Sequence, residues 1–324
     1  MSYTATESLK NGPDTAKNDL VAILMGVYQG ARHLDAQLDS FAAQSHQNWV
    51  LVASDDSPDD LSGKRFLDWA AAHPHHDLSL VKGPQQGFVR NFLTLLATAP
   101  KTADFVALSD QDDVWFPDKL ARATTRLSQV TPDRAALYCA ATMICDENLN
   151  PVRRSAVFRK KPSFRNAMAQ SVGGGNTMVL NRAALDLVQS CLPCPTDPVA
   201  HDWWLYQVIS GHGGIVLRDD TPVLLYRQHA DNLIGANMSF KARITRIRAV
   251  LGGRFSDWNT RNLAALQSAI PVLESGARQT LSDFSEAREG SVVRRIIALY
   301  RSGVVRQSAL GTTALYIACL MGRL

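Results

Sequence analysis

The chain has 324 residues, 46% of them hydrophobic and 20% charged, enough apolar material to bury a large core without disulfide or metal staples. Its net charge of +4 conceals two parts: from residue 240 onward there are 13 Lys+Arg against 5 Asp+Glu, so the preceding part is net acidic. Residues 1–18 lack the apolar stretch of a secretory leader, no run of 18 apolar residues offers a bilayer span, and Cys191-Leu-Pro-Cys194 has no second pair to complete a zinc site, so a cytoplasmic protein with reduced thiols is expected.

Residues 20–27 (Leu-Val-Ala-Ile-Leu-Met-Gly-Val) form a near-continuous apolar run, the pattern of a strand buried on both faces of a parallel sheet. Leu34, Leu38, Phe41 and Ala42 then recur at helical spacing. Trp49 to Ala53 reads as a second buried strand, ending in the polar Ser54-Asp55-Asp56-Ser57-Pro58-Asp59-Asp60. A helix through Phe66, Leu67 and Ala70, a strand at Leu78 to Val81, a helix over Phe88 to Ala97 and a strand at Phe105 to Leu108 continue the alternation. This order predicts βαβ units around a parallel sheet, whose ligands bind beyond the carboxyl ends of the strands. At that edge three strands run out into Tyr28-Gln29-Gly30, Asp55-Asp56 and Ser109-Asp110-Gln111-Asp112-Asp113. From about residue 134 the pattern becomes irregular, with short strands, Gly173-Gly174-Gly175, a Trp-rich helix near Asp202 running to Ile209, and a strand at Val223 to Tyr226.

Asp110 and Asp112 stand at i and i+2 where a strand runs out. In an extended backbone these two side chains point one way, and Gln111 and Asp113 the other. Two hard oxygen donors suit Mg2+ or Mn2+ and leave coordination positions for phosphate oxygens. The alternative is a polar loop, with Asp113 or a neighbour capping the helix opened by Pro117. Placement at a strand end facing Asp55-Asp56 favours the metal. The chain has neither a GxxxxGK[ST] loop nor a GxGxxG turn to cradle a diphosphate by backbone alone.

Seven short motifs follow one another between about residues 20 and 237. They are Val27-Tyr28-Gln29-Gly30 with Gln37-Leu38-Asp39-Ser40, Ser54-Asp55-Asp56-Ser57, Gly87-Phe88-Val89-Arg90-Asn91-Phe92, Ala107-Leu108-Ser109-Asp110-Gln111-Asp112-Asp113-Val114-Trp115, Gly174-Gly175-Asn176-Thr177-Met178, His201-Asp202-Trp203-Trp204 and Tyr226-Arg227-Gln228-His229. In this order they resemble the family 2 glycosyltransferases, inverting enzymes with the GT-A fold, and especially the bacterial rhamnosyltransferase-like branch. Tyr28-Gln29-Gly30 stands where that family often has Tyr-Asn-Gly, and Ser57 directly follows Asp56 where a Gly-Ser pair is usual.

The resemblance implies an α/β GT-A (Rossmann-like) domain over residues 19–239, with a mixed, mostly parallel sheet flanked by helices. A flexible segment 1–18 precedes it, and a basic helical extension 240–324 follows. It implies that Asp55 or Asp56 accepts from the imide N–H of a donor pyrimidine, with an Asx turn as the competing or coexisting role. Tyr28, Arg90, Asn91, Gln111 and Arg227 fall on the donor side, with Lys82 a weaker candidate. Asp110, Asp112 and His229 fall at the metal. Asp202 takes the place of the catalytic base, against an N-cap alternative. Gly174, Gly175, Asn176, Trp203 and Trp204 fall on the acceptor side, and for the two tryptophans we expect one in the core and one near the site.

The tail interleaves Lys241, Arg243, Arg246 and Arg248 with Ile244, Ile247 and Val250, and sets Arg294-Arg295 and Arg301 around Ile296, Ile297 and Leu299. Basic amphipathic helices of this kind fit an anionic membrane surface best, packing on the catalytic domain second, and nucleic acid worst. The functional expectation is transfer of a sugar, rhamnose by resemblance, from a UDP- or dTDP-linked donor to a saccharide or lipid-linked acceptor in bacterial surface polysaccharide synthesis, at the inner face of the cell membrane. The rivals are a metal-dependent nucleotidyltransferase or sugar-nucleotide hydrolase, and a non-catalytic nucleotide-sugar-binding protein.

Overall fold

The first apolar run is strand β1 (Val21–Val27), and it lies in the middle of the sheet because both its faces are apolar and both its edges are paired. A computed structural model describes residues 19–193, 195–228 and 253–324. Strand β1 pairs in parallel with β2 (Trp49–Asp55) on one side and β4 (Phe105–Ser109) on the other, and β2 pairs in parallel with β3 (Asp77–Lys82). The register sets Val27 opposite Asp55 and Met25 opposite Ser109, so the loops after β1, β2 and β4 leave from one edge.

Beyond β4 the directions mix. The order is β3-β2-β1-β4-β8-β6-β9-β5, with β7 (Pro151–Arg154) on the side of β6. Strand β8 (Val179–Asn181) is antiparallel to both β4 and β6 (Ala136–Cys145), while β9 (Ile215–Arg227) runs parallel to β6. Strand β5 (Val114–Trp115) pairs antiparallel with Leu225 and Leu224 of β9. The loop 110–113 therefore crosses from the centre of the sheet to its far edge. The strand expected at Val223 to Tyr226 is longer, starting at Ile215, because its first half follows β6 in register.

Strand alternation splits the core in two. Val21, Ile23 and Met25 face helices α1 (Leu34–Ala42), α2 (Leu61–Ala72) and α4 (Lys119–Leu127). Ala22 and Leu24 face α3 (Phe88–Ala97), α5 (Phe164–Ala167), α6 (Arg182–Ser190) and α7 (His201–Gly211). Each such aliphatic side chain withdrawn from water contributes about 1.5–3 kcal/mol.

The C-terminal helices α8 (Arg254–Ala265), α9 (Ser275–Glu286), α10 (Val292–Ser302) and α11 (Ala309–Leu320) join the second layer. Phe255, Leu266, Phe284, Leu299 and Leu315 share one apolar cluster with Trp203 and Trp204. Polar contacts tie the same seam: Asn166 Nδ2 donates to the Val305 carbonyl at 3.0 Å, and the Val199 N–H donates to Asn262 Oδ1 at 3.0 Å. Packing is thus one role of the tail. Lys241 to Arg248, and the boundary expected at 239–240, lie outside the described residues. Among the described residues no helix is long and apolar enough to cross a membrane. Cys139, Cys145, Cys191 and Cys319 are free thiols buried in the core; Cys194 lies outside the described residues.

Candidate active site

Strand β4 ends at Ser109, and residues 110–113 bend instead of remaining extended, so strand periodicity is not what sorts their side chains. Hydrogen bonding sorts them. Asp113 is fully buried, its carboxylate accepting from Asn176 Nδ2 at 2.5 Å and from the Arg227 N–H at 3.3 Å, while its own N–H donates to Gln37 Oε1 at 3.0 Å. Asp118, not Asp113, occupies the N-cap position of α4. Asp110 and Asp112 stay partly exposed, and among the described residues the Asp110 carboxylate accepts no hydrogen bond.

Arg227 supports this loop from behind. It is buried, its Nε donates to the Asp112 carbonyl at 2.9 Å, and its guanidinium also reaches the Glu147 carbonyl. The cation expected among the donor phosphates thus shapes the backbone of loop 110–113. His229, expected beside Asp110 and Asp112, lies outside the described residues. Sequence reasoning passed over Lys119 altogether. It is fully buried, its Nζ donates to the Asn176 carbonyl at 2.7 Å, and it lies 2.9 Å from the centre of the Trp115 ring. Its ammonium counters the charges of Asp113 and Asp110, while burial pushes its own pKa well down. The available signal was its place two residues past Pro117, in the first turn of a helix starting at the metal loop.

The other two rims are built by their own side chains. Gln111 Oε1 accepts from the Tyr28 N–H at 2.7 Å and its Nε2 donates to the Tyr28 carbonyl at 2.8 Å, which leaves the Tyr28 ring exposed over the edge. A side chain at Gly30 would collide with that amide, so this position takes glycine. Asp55 accepts from the Ser57 N–H at 3.0 Å, an Asx turn. Asp56 is buried and takes the N–H groups of Gln85 and Gly87, tying the loop before α3 to the end of β2. Asn91 is also turned inward, donating to the Ser54 carbonyl at 3.0 Å and accepting from Ser54 Oγ at 2.5 Å. Arg90 pairs with Asp197, and Lys82 is exposed.

Across from these rims is the first turn of α7. Its N-cap is Ala200, so Asp202 does not cap the helix; its Oδ1 accepts from the Trp203 N–H at 2.5 Å and its Oδ2 from the Gly175 N–H at 3.1 Å. Asp202 remains partly exposed, and burial pushes its carboxyl up to about 6. Its charge, with that of Asp112 and with burial the leading cause, pushes Asp110 up to about 7. The two acids therefore lie near each other.

His201 stacks on Phe92 at 4.0 Å, and a side chain at Gly175 would strike its ring, so this glycine lets the loop close over α7. Gly174 is exposed, whereas Asn176 is buried with its amide on Asp113 and so faces loop 110–113. The tryptophans correct another expectation. Trp204 is 0% exposed and Trp203 6%, with Trp203 Nε1 donating to the Ala167 carbonyl at 2.6 Å. Both are core residues, because α7 is covered on every side by α3, α5, α6 and the C-terminal helices; neither presents a ring to a sugar.

Among the described residues no three His, Cys, Asp or Glu side chains form a ready-made metal cage. The acids present nevertheless fit a divalent cation shared with a diphosphate. Asp110 and Asp112 offer hard oxygen donors whose mutual repulsion, only partly offset by Lys119, helps hold the Asp110 carboxyl up.

Residues 22–186 match the family model described as Glycosyl transferase family 2. The dTDP-rhamnosyl transferase RfbG of Shigella flexneri is 24% identical over 255 residues, covering 76% of this chain and 84% of that protein. Two solved structures share the fold. S. aureus TarS 1-349 in complex with UDP-GlcNAc matches with a TM-score of 0.54 at 14% identity, covering 94% of this chain and 88% of that one. The mannosyltransferase PcManGT from Pyrobaculum calidifontis, in complex with GDP-Man and Mn2+, matches with a TM-score of 0.50 at 18% identity, covering 94% and 85%. With more than half its length matched by the family model, and the strand-end carboxylates gathered on one rim, the chain belongs to glycosyl transferase family 2 and is a glycosyltransferase.

Proposed function

We propose that the enzyme moves a sugar from a nucleoside-diphosphate donor to a saccharide or lipid-linked saccharide with inversion, using Asp202 as the general base. One observation carries this reading. A partly exposed carboxylate at the start of α7 is held by the Gly175 N–H, close enough to Asp110 to help raise its pKa. In a direct displacement the acceptor hydroxyl oxygen bonds to the anomeric carbon as the bond to the diphosphate oxygen breaks, and Asp202 takes the hydroxyl proton. A carboxyl near pKa 6 is ionised at neutral pH yet more basic than an ordinary aspartate.

Asp110 and Asp112 would hold Mg2+ or Mn2+, which when bound offsets the charge on the departing diphosphate. Behind them, Asp113, Arg227 and Lys119 keep the loop's shape and offset part of its charge. Asp55 has one oxygen on the Ser57 N–H, and the other suits the imide N–H of uracil or thymine. The Shigella relative's name as a dTDP-rhamnosyl transferase supports a dTDP-linked rhamnose donor. The metal in the PcManGT complex supports a divalent cation. A lipid-linked acceptor implies work at a membrane surface. The test is a donor screen with Mn2+ against lipid-linked saccharide acceptors, with the product's anomeric configuration read by NMR. A product of inverted configuration from a dTDP- or UDP-sugar is expected; retained configuration, or hydrolysis without transfer, would refute the proposal.

A further inference from the structure

Helices α10 and α11 turn one face to the core and the other to solvent. Ala298, Leu299 and Ser302, and Leu315, Ala318 and Cys319, are buried. On the outward faces, Val293, Ile297 and Tyr300 recur at spacings of four and three along α10, and Leu310, Ile317 and Met321 at seven and four along α11. All six are exposed, Tyr300 and Leu310 each to 76%. The helices are neighbours, since Arg295 donates to the Leu320 carbonyl at 3.0 Å, and both pack on the same core cluster. The two helices therefore carry adjoining outward stripes of exposed apolar side chains.

The last stretch of the chain carries charge of one sign. Beyond Glu289 the chain contains Arg294, Arg295, Arg301, Arg306 and Arg323 and not a single Asp or Glu. Arg294 and Arg301 are ion-paired with Glu286 and Asp283 behind the face. Arg323 is exposed and has no ion pair among the described residues. We propose that this face of α10 and α11 seats on an anionic lipid bilayer, its aliphatic side chains entering the headgroup boundary while the exposed Arg294 and Arg323 meet lipid phosphates. An apolar stripe flanked by arginine is what an interfacial helix pair requires. A second copy docked face to face would bring these arginines against their own counterparts. A nucleic acid would have its phosphates held against aliphatic side chains.

The inference deepens the reading of a lipid-linked acceptor, and it is testable apart from turnover. Full-length protein is floated with vesicles of phosphatidylcholine alone or with roughly a third phosphatidylglycerol. Binding to the anionic vesicles alone is expected, released by high salt. Ile297→Ser with Leu310→Ser, or Arg294→Gln with Arg323→Gln, should each weaken it about tenfold or more, with melting temperature and turnover on a soluble acceptor unchanged. Wild type that ignores anionic vesicles, or variants that bind like wild type, would overturn the proposal. So would sedimentation showing that the serine pair converts a dimer to a monomer in protein that does not bind vesicles. Loss of transfer on a soluble acceptor in wild type would instead count against the catalytic reading and leave this one standing.

Discussion

Two acidic rims leave the same edge of the sheet, after β2 and after β4, and they use their carboxylates in opposite ways. After β2, Asp55 and Asp56 take the backbone N–H groups of Ser57, Gln85 and Gly87, so their charge mainly builds loops. After β4, Asp113 is consumed by Asn176 and Arg227, while Asp110 stays partly exposed without a hydrogen-bonded partner for its carboxylate among the described residues. An acid pair at a strand end is therefore a ligand site only to the extent that its oxygens are left unspent. The β4 rim retains that repulsion, as expected of a site that trades stability for function.

The largest effect should come from the acid facing this rim. Asp202→Asn should lower the transfer rate by about a thousandfold while leaving donor binding intact, as initial rates and calorimetry would show. Wild-type kcat/KM should fall as pH drops below about 6, where the base takes up a proton, and the Asn variant should lose that limb. Full activity in the variant would break the proposed division between a donor rim and an acceptor base.

Asp110→Asn should remove cation-dependent donor binding, lowering turnover by about a hundredfold, and at the same time raise the melting temperature of the metal-free protein by a few degrees. The sign follows from the direction of the shift. A carboxyl whose folded pKa lies above its unfolded value favours the folded state while protonated, and that contribution is lost as pH rises through the folded pKa. For Asp110 the window runs from about 4 to about 7, so the stability gained in the variant should be larger at pH 7 than at pH 5. The reverse pH dependence would show that the acids of this rim are already neutralised.

A smaller effect separates the buried Asp113 from the partly exposed Asp110. Asp113→Ala and Asn176→Ala should each cost about 1–3 kcal/mol in denaturant unfolding, since each leaves a buried polar partner unmade. Their effects should be strongly non-additive in the double variant. Because Asn176 precedes Thr177 and follows the Gly175 N–H that holds Asp202, kcat should fall as well. The mildest change should be Asp56→Asn, which keeps the carbonyl acceptor of the β2 rim: a loss of about 1 kcal/mol with KM for the donor altered only a few-fold. A hundredfold loss of donor affinity there would make Asp56 itself, and not Asp55 alone, a donor ligand.

The alternation of strands and helices through residue 109 was legible because each element carries its own period. The helix read over Phe88 to Ala97 is α3 to the residue, and the seven ordered motifs pointed to the family that the matched residues 22–186 confirm. What was not legible depended on partners far away in the chain. Nothing local marks Lys119 as buried, since its partner Asn176 is 57 residues distant. Likewise Arg227 reaches back 115 residues to the Asp112 carbonyl, and only the finished fold shows it shaping a loop. Trp203 and Trp204 looked divisible between core and site, but the C-terminal helices that help bury both are encoded some fifty residues or more later. Asp113 was set apart from Asp110 and Asp112, though by a strand periodicity that ends at Ser109; its separation comes from a buried hydrogen bond to Asn176.

The central claim is that Asp110 and Asp112 hold a divalent cation on the donor diphosphate, and calorimetric titration of dTDP and UDP with and without Mn2+ tests it most directly. In wild type, Mn2+ should tighten binding at least about tenfold, and in Asp110→Asn and Asp112→Asn it should make no difference. Nucleotide binding in wild type that is equally tight without any divalent cation would contradict the account.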